Sequence, residues 1–445
     1  MHWYEMNLGG RGCTNSAVSQ VCRPERIAEV AKYLEQVGKS GVIARGFGSS
    51  YADQAINTGG AVMMSGRLDH IHSFDEKTGE LICEPGVTLE TITELYAPRG
   101  FMLATATRSG QHTLGGAIAA NIIGQNGHKR MSFAKSVNWV DVILWNGKTV
   151  RAGAAENEDL FKAVVGGQGL IGFISLISIT LLKRPEENVA VEKKRLSNLN
   201  ELLEALKTAR KTADFCMAWI DTSARTDAIG RSVLTTASFT SDAKVAPLFS
   251  LPRFKLPLPH IALQAASLPF FKNLRYRFFS SNVKKVEKYE EFLYPSDNVR
   301  VFSSKGVYQL QVSFSEAEGP QAMRRILTEL SQTRVSACRA VLTMTKEDSL
   351  SYLGTVLRGY TLNLDFIRRK GLEDFLKHLI TVVSEHNGRV SLQNDALLEP
   401  RNISMMYKYS EKFIKTVNTF DPQRKFNSDF GRRLFAAVKE EKNEQ

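Results

Sequence analysis

The stretch ENEDLFKAVVGGQGLIGFISLISITLL, residues 156–182, decides the fold. Within it Gly167-Gln168-Gly169-Leu170-Ile171-Gly172 is a literal GxGxxG, the spacing of a dinucleotide-binding fingerprint. That fingerprint needs a strand before the glycines and a helix after them, so that a pyrophosphate meets the helix N-terminus. Here the order is reversed. A helical run, ENEDLFKAVV, precedes the glycines and a β-rich run, FISLISITLL, follows them. This order excludes a Rossmann site, and NAD with it. The bend keeps a different use, since glycine lets backbone approach a flat ligand closely.

Working outward, two earlier loops share the composition of that bend: Arg45-Gly46-Phe47-Gly48-Ser49-Ser50-Tyr51, and Ser109-Gly110-Gln111-His112-Thr113-Leu114-Gly115-Gly116-Ala117-Ile118-Ala119. Loops rich in Gly, Ser and Thr present several backbone amides and hydroxyls at once, which suits the spread charge of a pyrophosphate. One such loop alone reads as a tight turn; three at these places read as a cradle. The segments between them are regular. PERIAEVAKYLEQV (24–37) opens with Pro in first-turn position and sets Ile27, Ala31, Leu34 and Val37 on one helical face. GVIAR (41–45) and LICEPGV (81–87) read as strands, and TLETITELYAPRG starts a helix near Thr88. In VDVILWNGKTVRAG, Asn146-Gly147 between apolar runs signals a tight hairpin.

With 445 residues, 43% hydrophobic and 23% charged, the chain is globular material long enough for two domains. Its longest apolar stretch, Leu170 to Leu182, is shorter than the roughly 20 residues of a bilayer-spanning helix. The start, MHWYEMNLGGRG, lacks the basic patch and apolar core of a secretory signal, so a cytoplasmic location is expected. Cys13, Cys22, Cys83, Cys216 and Cys338 are odd in number, scattered and without metal-ligand spacing, so buried thiols and no metal are expected. A formal charge of +12 suits nucleic acid, an anionic membrane or a phosphorylated substrate. No zinc-finger spacing or RNA-recognition signature accompanies it, which leaves nucleic acid the least supported.

From about residue 186 to 400 the pattern changes. Strands such as VYQLQVSF (307–314) and TLNLDF (361–366) alternate with amphipathic helices such as LNELLEALKTA and LEDFLKHLITVVSEH, the pattern of a separate α+β unit. Inside it, residues 251–279 are rich in Pro, Leu and Phe and carry Arg253, Lys255, Lys272, Arg275 and Arg277. That segment admits two readings. It is either a lid that dips into anionic membrane, Phe270 and Phe271 inserting while the basic side chains meet head groups, or a poorly ordered loop or dimer contact. The chain ends with a helix and FDPQRKFNSDFGRRLF.

RGFGSSYAD, TLGGAIAANIIG and VVGGQGLIGFI together resemble the FAD-binding half of the vanillyl-alcohol-oxidase superfamily of FAD-linked oxidases. AWIDTSARTDAIGRS (218–232), YPSDNV (294–299), GVYQLQV (306–312), LNLDF (362–366) and FNSDFGRRL (426–434) extend the likeness over the whole chain, toward the branch that oxidises lipid-linked ribose. The resemblance implies an α+β, two-domain fold. A PCMH-type FAD-binding domain covers 1–185, and an antiparallel-sheet-plus-helices substrate (cap) domain covers 186–404, with 251–279 as its candidate membrane-facing loop. A C-terminal segment, 405–445, returns to the FAD domain.

Residue by residue, the resemblance assigns Gly46, Phe47, Gly48, Ser49 and Ser50, with Ser109, Gly110, Gln111 and Thr113, to the FAD diphosphate. It has Gly115, Gly116, Ala117 and Ala119 lining the cofactor and Ile174 meeting its adenosine side. Arg45, Tyr51, Asn121, Gly169 and Gly172 complete the cofactor-binding set. Many covalent members carry His where this chain has Ser49, and Ser has no imidazole nitrogen to alkylate, so the FAD is expected to be non-covalent. Tyr51, Gln309 and Gln311 match substrate-pocket positions. Three positions depart from the family: Ile123 stands for a pocket histidine, Asn394 for a cofactor-contacting lysine and Asn363 for a pocket cysteine. Losing that lysine removes a charge that would stabilise anionic reduced flavin. His128, Lys129 or Arg130 could replace it, although Lys129 and Arg130 read equally well as a solvated basic turn.

Alcohol oxidation needs a hydride taken from carbon and a proton removed from the hydroxyl. The candidate catalytic set is Lys346, which matches a family pocket lysine, with Tyr51 and Asn394; the substrate set is Gln309, Gln311, Asn363 and His128. The activity expected is oxidation of a ring hydroxyl of a polyprenyl-phosphate pentose to a keto sugar, with a partner short-chain reductase completing an epimerisation. The alternatives are an oxidase of free alditols or aldonolactones and a flavin-binding protein without turnover.

Overall fold

The computed structural model describes residues 2–130, 132–243, 256–258, 260–278, 283–294, 299–301, 306–347 and 349–433. Arg253 and Lys255, residues 295–298 of YPSDNV, and the tail from residue 434 lie outside the described residues. Among the described residues the first 183 build two main sheets. One has the strand order Tyr4–Gly9, Ser16–Cys22, Ala61–Met64, Val42–Arg45; its first pair is antiparallel and its last three strands run parallel. The other is antiparallel, in the order Ile71–Asp75, Glu80–Cys83, Phe173–Thr180, Val137–Ile143, Thr149–Gly153.

Local signals account for these elements. The helix Ile27–Glu35 starts after Pro24 because the Glu29 carboxylate accepts from the backbone N–H of Glu25 at 2.9 Å, which closes the N-terminus from inside; Val30, Tyr33 and Leu34 are then buried. Thr88 caps the helix Leu89–Tyr96 by accepting from Thr91 N at 3.0 Å. Asn146-Gly147 turns the hairpin between Val137–Ile143 and Thr149–Gly153, with Gly147 at φ +78°. The deciding stretch has the order read from sequence. Helix Glu158–Val164 leads into the glycine bend, and strand Phe173–Thr180 leaves it.

Beyond residue 183, eight strands form one antiparallel sheet, and Leu256–Leu258 pairs apart from it, parallel, with Val299–Val301. The order of the eight is Val283–Lys288, Asn188–Leu196, Ser232–Thr240, Phe215–Ile220, Arg339–Thr345, Gly359–Ile367, Val307–Ser315, Arg389–Val390. Helices Leu199–Thr212, Gly319–Gln332 and Leu372–Glu385 cover one face, burying Leu202, Leu206, Ile326, Leu330, Leu379 and Val383. Period-two alternation leaves the opposite face to the polar side chains of the inner strands. A single apolar cluster runs from Val140 and Ile177 under the first sheets to Leu342 and Leu364 under this one.

The C-terminal helices Pro400–Met406 and Ser410–Phe420 lead back to the N-terminal sheet. Val42 N donates to Lys425 O at 2.7 Å and Asn427 N donates to Val42 O at 2.9 Å, so the tail lies along the edge strand Val42–Arg45. Phe426 is 1% exposed there, and the buried Asp421 carboxylate accepts from the backbone N–H of Phe426 at 2.7 Å. Four of the five thiols, Cys22, Cys83, Cys216 and Cys338, are buried, and burial pushes each up to about 12; Cys13 is exposed, contrary to expectation, in the turn after the first strand. Emptying the Phe426 site should be expensive. Phe426→Ala should lower unfolding stability by about 3–5 kcal/mol in urea, and an unchanged midpoint would show that the tail does not seal this edge.

Candidate functional site

Two cavities meet inside the molecule, and the loops singled out by sequence build the first of them. Gly46, Phe47, Gly48, Ser49 and Ser50 line one side of a groove. Thr113, Gly115, Gly116 and Ala119 line the second side, and Gly169, Gly172 and Ile174 the third. None of the side chains lining the groove is a Lys, Arg, Asp or Glu, so a pyrophosphate laid in it is met by backbone N–H groups, hydroxyls and amides. Close approach explains the glycines. A Cβ on Gly46 would stand 2.2 Å from Thr113 Oγ1, one on Gly115 2.7 Å from Pro85 Cβ, and one on Gly172 2.4 Å from Val142 Cγ1. Phe47 leaves 58% of its surface open beside the groove, an apolar face that a flat ring system would cover.

Other members of the expected cofactor set brace the groove from behind. Arg45 donates to Ala55 O at 2.9 Å and to Gly9 O at 2.7 Å, which holds the loop at 46–50 in place. Asn121, at φ +46°, accepts from Ala134 N at 3.1 Å. Ala117 is buried in the core, and Gly110 packs on Glu90, where a Cβ would meet the Glu90 Cβ at 2.6 Å. Gln111 is absent from the lining. Tyr51 and Ser109 turn instead to the second cavity.

The second cavity shares Ser49, His112, Ile122 and Gln393 with the groove, so the two are continuous through those four residues. Its wall is set by strand register. Gln309 pairs with Asp365 and Asp365 with Arg339; one pleat on, Gln311 pairs with Asn363 and Asn363 with Val341. Alternation then brings Gln309, Gln311, Asn363, Arg339, Val341 and Thr343 to one face. Asp365, 5% exposed, accepts from Gln309 Nε2 at 2.7 Å and lies 2.7 Å from Arg339 Nε. Asn394 donates from Nδ2 to Gln311 Oε1 at 2.9 Å. Burial and the Asp365 carboxylate push the Tyr51 phenol up to about 12, so it stays a hydroxyl through the neutral range.

The C-terminal tail braces this junction. Arg433 Nη2 donates to Asp53 Oδ1 at 2.9 Å and its Nη1 to the Asp395 carboxylate and to Leu398 O at 3.0 Å. Gln54 Nε2 donates to Leu392 O at 2.6 Å and to Asp395 O at 2.9 Å. The loop carrying Gln393 and Asn394 is thereby tied to the groove loop.

Three expectations are corrected. Lys346 is exposed just past the end of strand Arg339–Thr345 and lines neither cavity; Arg339, Val341 and Thr343 face the cavity, and alternation gives Lys346 the opposite side. His128 is buried with Nε2 3.1 Å from Ala213 O, outside both linings; burial pulls its pKa down, and a neutral ring supplies no charge. Lys129 does not replace it either, being paired with Asp214 at 2.8 Å. Lys272, expected to meet lipid head groups, is 3% exposed because it falls on the inner face of helix Pro269–Phe278. There it donates to Thr222 Oγ1 at 2.7 Å and Ala337 O at 2.6 Å.

Sequence reasoning passed over Arg11, Arg108, Arg339, Asp365 and Gln393. Arg339 had one available signal, a charged residue at the start of RAVLTMT on the same period-two face as Val341 and Thr343. Among the described residues, no group of three or more His, Cys, Asp or Glu side chains could hold a metal ion, and no helix is long and apolar enough to cross a membrane.

Residues 18–153 match the family described as FAD binding domain. The chain is 28% identical to decaprenylphosphoryl-beta-D-ribose oxidase of Mycolicibacterium smegmatis over 452 aligned residues, covering 96% of each chain. It is 24% identical to a putative D-arabinono-1,4-lactone oxidase of Neurospora crassa across 35% of this chain and 28% of that one. It is 27% identical to the glycolate oxidase subunit GlcD of Bacillus subtilis across 45% and 43%. Gly46→Ala should part the two loops that touch at Thr113. Bound flavin per chain, read from the visible-to-ultraviolet absorbance ratio, should fall about tenfold, near 1.4 kcal/mol of binding. An unchanged ratio in a folded variant would remove this groove as the flavin site.

Proposed function

We propose that the chain, an FAD-dependent oxidoreductase whose residues 18–153 match the FAD binding domain, oxidises a ring hydroxyl of a sugar to a ketone. The observation that carries the reading is the continuity of the groove with a cavity lined by Gln309, Gln311, Asn363 and Asn394. Amide side chains offer a donor and an acceptor each, the pattern that matches neighbouring hydroxyls of a polyol. The substrate proposed is a pentose carried on a polyprenyl phosphate, in keeping with the name and full-length coverage of the mycobacterial relative. The keto sugar would be the first half of an epimerisation, completed by a separate short-chain reductase.

FAD, when bound, supplies the two-electron acceptor for the alcohol carbon. Gly46–Ser50, Thr113–Gly116 and Gly169–Gly172 would hold it through backbone and hydroxyl groups. Ser49 carries no ring nitrogen for a covalent link, which supports a flavin retained by these contacts alone. The chain's own part is orientation. Asp365 fixes Gln309, Asn394 fixes Gln311, and Tyr51 offers a protonated hydroxyl to the substrate oxygen. Helix Pro269–Phe278 turns out Phe270 at 69% exposure and Phe278 at 78%, beside Arg277, a surface that supports peripheral contact with an anionic membrane where a lipid-borne sugar resides.

A second reading, oxidation of free alditols or aldonolactones, is favoured by Ile123, Asn363 and Asn394, which depart from the lipid-linked-sugar pattern, and by the lactone-oxidase relative. Anaerobic mixing of the flavin-bound protein with a polyprenyl-phosphate pentose in detergent separates the readings. Bleaching of the visible flavin band by that lipid, at concentrations where water-soluble polyols leave it intact, is expected. Rapid bleaching by a free polyol would move the assignment to the second reading, and bleaching by no sugar at all would end both.

A further inference from the structure

Arg11, Arg108 and Arg339 all line the second cavity, and none of its lining side chains is an Asp or Glu. Asp365 lies behind Arg339 and compensates one of the three. Neither Arg11 nor Arg108 has an acidic partner among the described residues. Arg108 is the more telling. Its Nε is buried without a hydrogen-bond partner, and its Nη1 reaches only the Met217 thioether at 2.8 Å, a weak acceptor. Burial, and then the neighbouring Arg339 and Arg275, pull its pKa down to about 10, which leaves it charged at neutral pH. Holding uncompensated guanidinium groups in a partly desolvated wall is unfavourable by itself and becomes favourable once an oxyanion arrives.

The geometry of the donors fits such a partner. Asp365 takes the Nε edge of Arg339 and, with its other oxygen, Gln309, so Arg339 is held from one side. Its terminal nitrogens have no acceptor among the described residues. A guanidinium with a free edge binds phosphate or carboxylate through two parallel hydrogen bonds, and two such groups on one wall can share a single anion. Strand register places Arg339 one pleat from Asn363 and Gln311, so an anion held there is on the same wall as the amides that face a sugar ring.

We propose that Arg11, Arg108 and Arg339 form an anion-binding subsite, through which the cavity selects sugars that carry a phosphate ester or a carboxylate over neutral sugars. The proposal rests on the reading of this cavity as the substrate site. Arg108 and Arg339 make the bidentate contacts, and Arg11 adds charge from the loop that follows the first strand.

Titration of the flavin-bound protein with ribose 5-phosphate, ribonate and ribose, followed by the shift of the visible flavin spectrum without turnover, tests this directly. Half-saturation by an anionic sugar should come at a concentration at least about tenfold below that for ribose, and the gap should narrow with added salt. The tighter of the two anions identifies the charged group. Arg108→Met should abolish most of the preference for the anions over ribose. Arg339→Leu combined with Asp365→Asn removes the second guanidinium without stranding a buried carboxylate and should do the same. If Arg108→Met fails to fold, Arg108→Lys keeps the charge, loses the fork and should retain part of the preference.

Equal half-saturation by ribose and both anions would overturn the subsite, as would variants that weaken all three ligands by one factor. Turnover is read separately. Neutral sugars oxidised with the same KM as charged ones would refute the subsite and leave the oxidation reading intact. Arginine-dependent anion binding with no sugar ever reducing the flavin would refute the oxidation and leave the subsite standing.

Discussion

Gly46 passes so close to Thr113 that a Cβ on it would lie 2.2 Å from the threonine hydroxyl. This approach joins the end of strand Val42–Arg45 to the N-terminus of helix Leu114–Ala119, and the groove exists because the two chain segments can touch there. Thr113 both caps that helix, accepting from Gly116 N at 3.3 Å, and fills the space Gly46 leaves. The surroundings defend the contact. Arg45 ties the loop down from behind, and the tail lies along the same edge strand through Val42. A larger residue at Gly46 therefore disturbs a joint from which both the groove and the entrance to the second cavity are built.

The eight-stranded sheet contributes by register. Gln309, Asp365 and Arg339 form one cross-strand row and Gln311, Asn363 and Val341 the next, so three separate stretches of chain present one chemical wall. Its packing energy comes from the helices on the opposite face, which leaves the cavity side free to be polar. Gln309 is paired with Asp365 and Asn394 with Gln311, and the arginines supply the surplus of charge. Arg433 then links the two halves through Asp53 and Asp395. A C-terminal segment thereby braces a site formed mostly by earlier residues.

Much of the groove was legible in the sequence because its logic is local. A glycine required by close approach, a threonine at a helix N-terminus and an Asn-Gly turn all act within a few residues, and the reversed order around Gly167–Gly172 is visible without any tertiary information. Resemblance put Gln309, Gln311 and Asn363 in one substrate pocket, and all three line the second cavity; Asn394, expected at a cofactor-contacting position, lines that cavity with them. Arg339 and Asp365 were missed because their meeting depends on strand pairing between distant segments. Lys346 and Lys272 were misread for a related reason. Strand parity keeps Lys346 off the cavity face and leaves it exposed, and a helical phase turns Lys272 into the protein, where three oxygens replace its water. His128 follows the same rule, since its burial against Ala213 comes from packing and not from its neighbours in sequence.

The proposed site holds its flavin by three loops and no covalent bond. The visible absorbance spectrum of the purified protein, taken before and after acid precipitation, tests it most directly. A yellow native protein is expected, with its colour passing entirely into the supernatant as free FAD. A colourless native protein, or colour that stays with the precipitated chain, would contradict it.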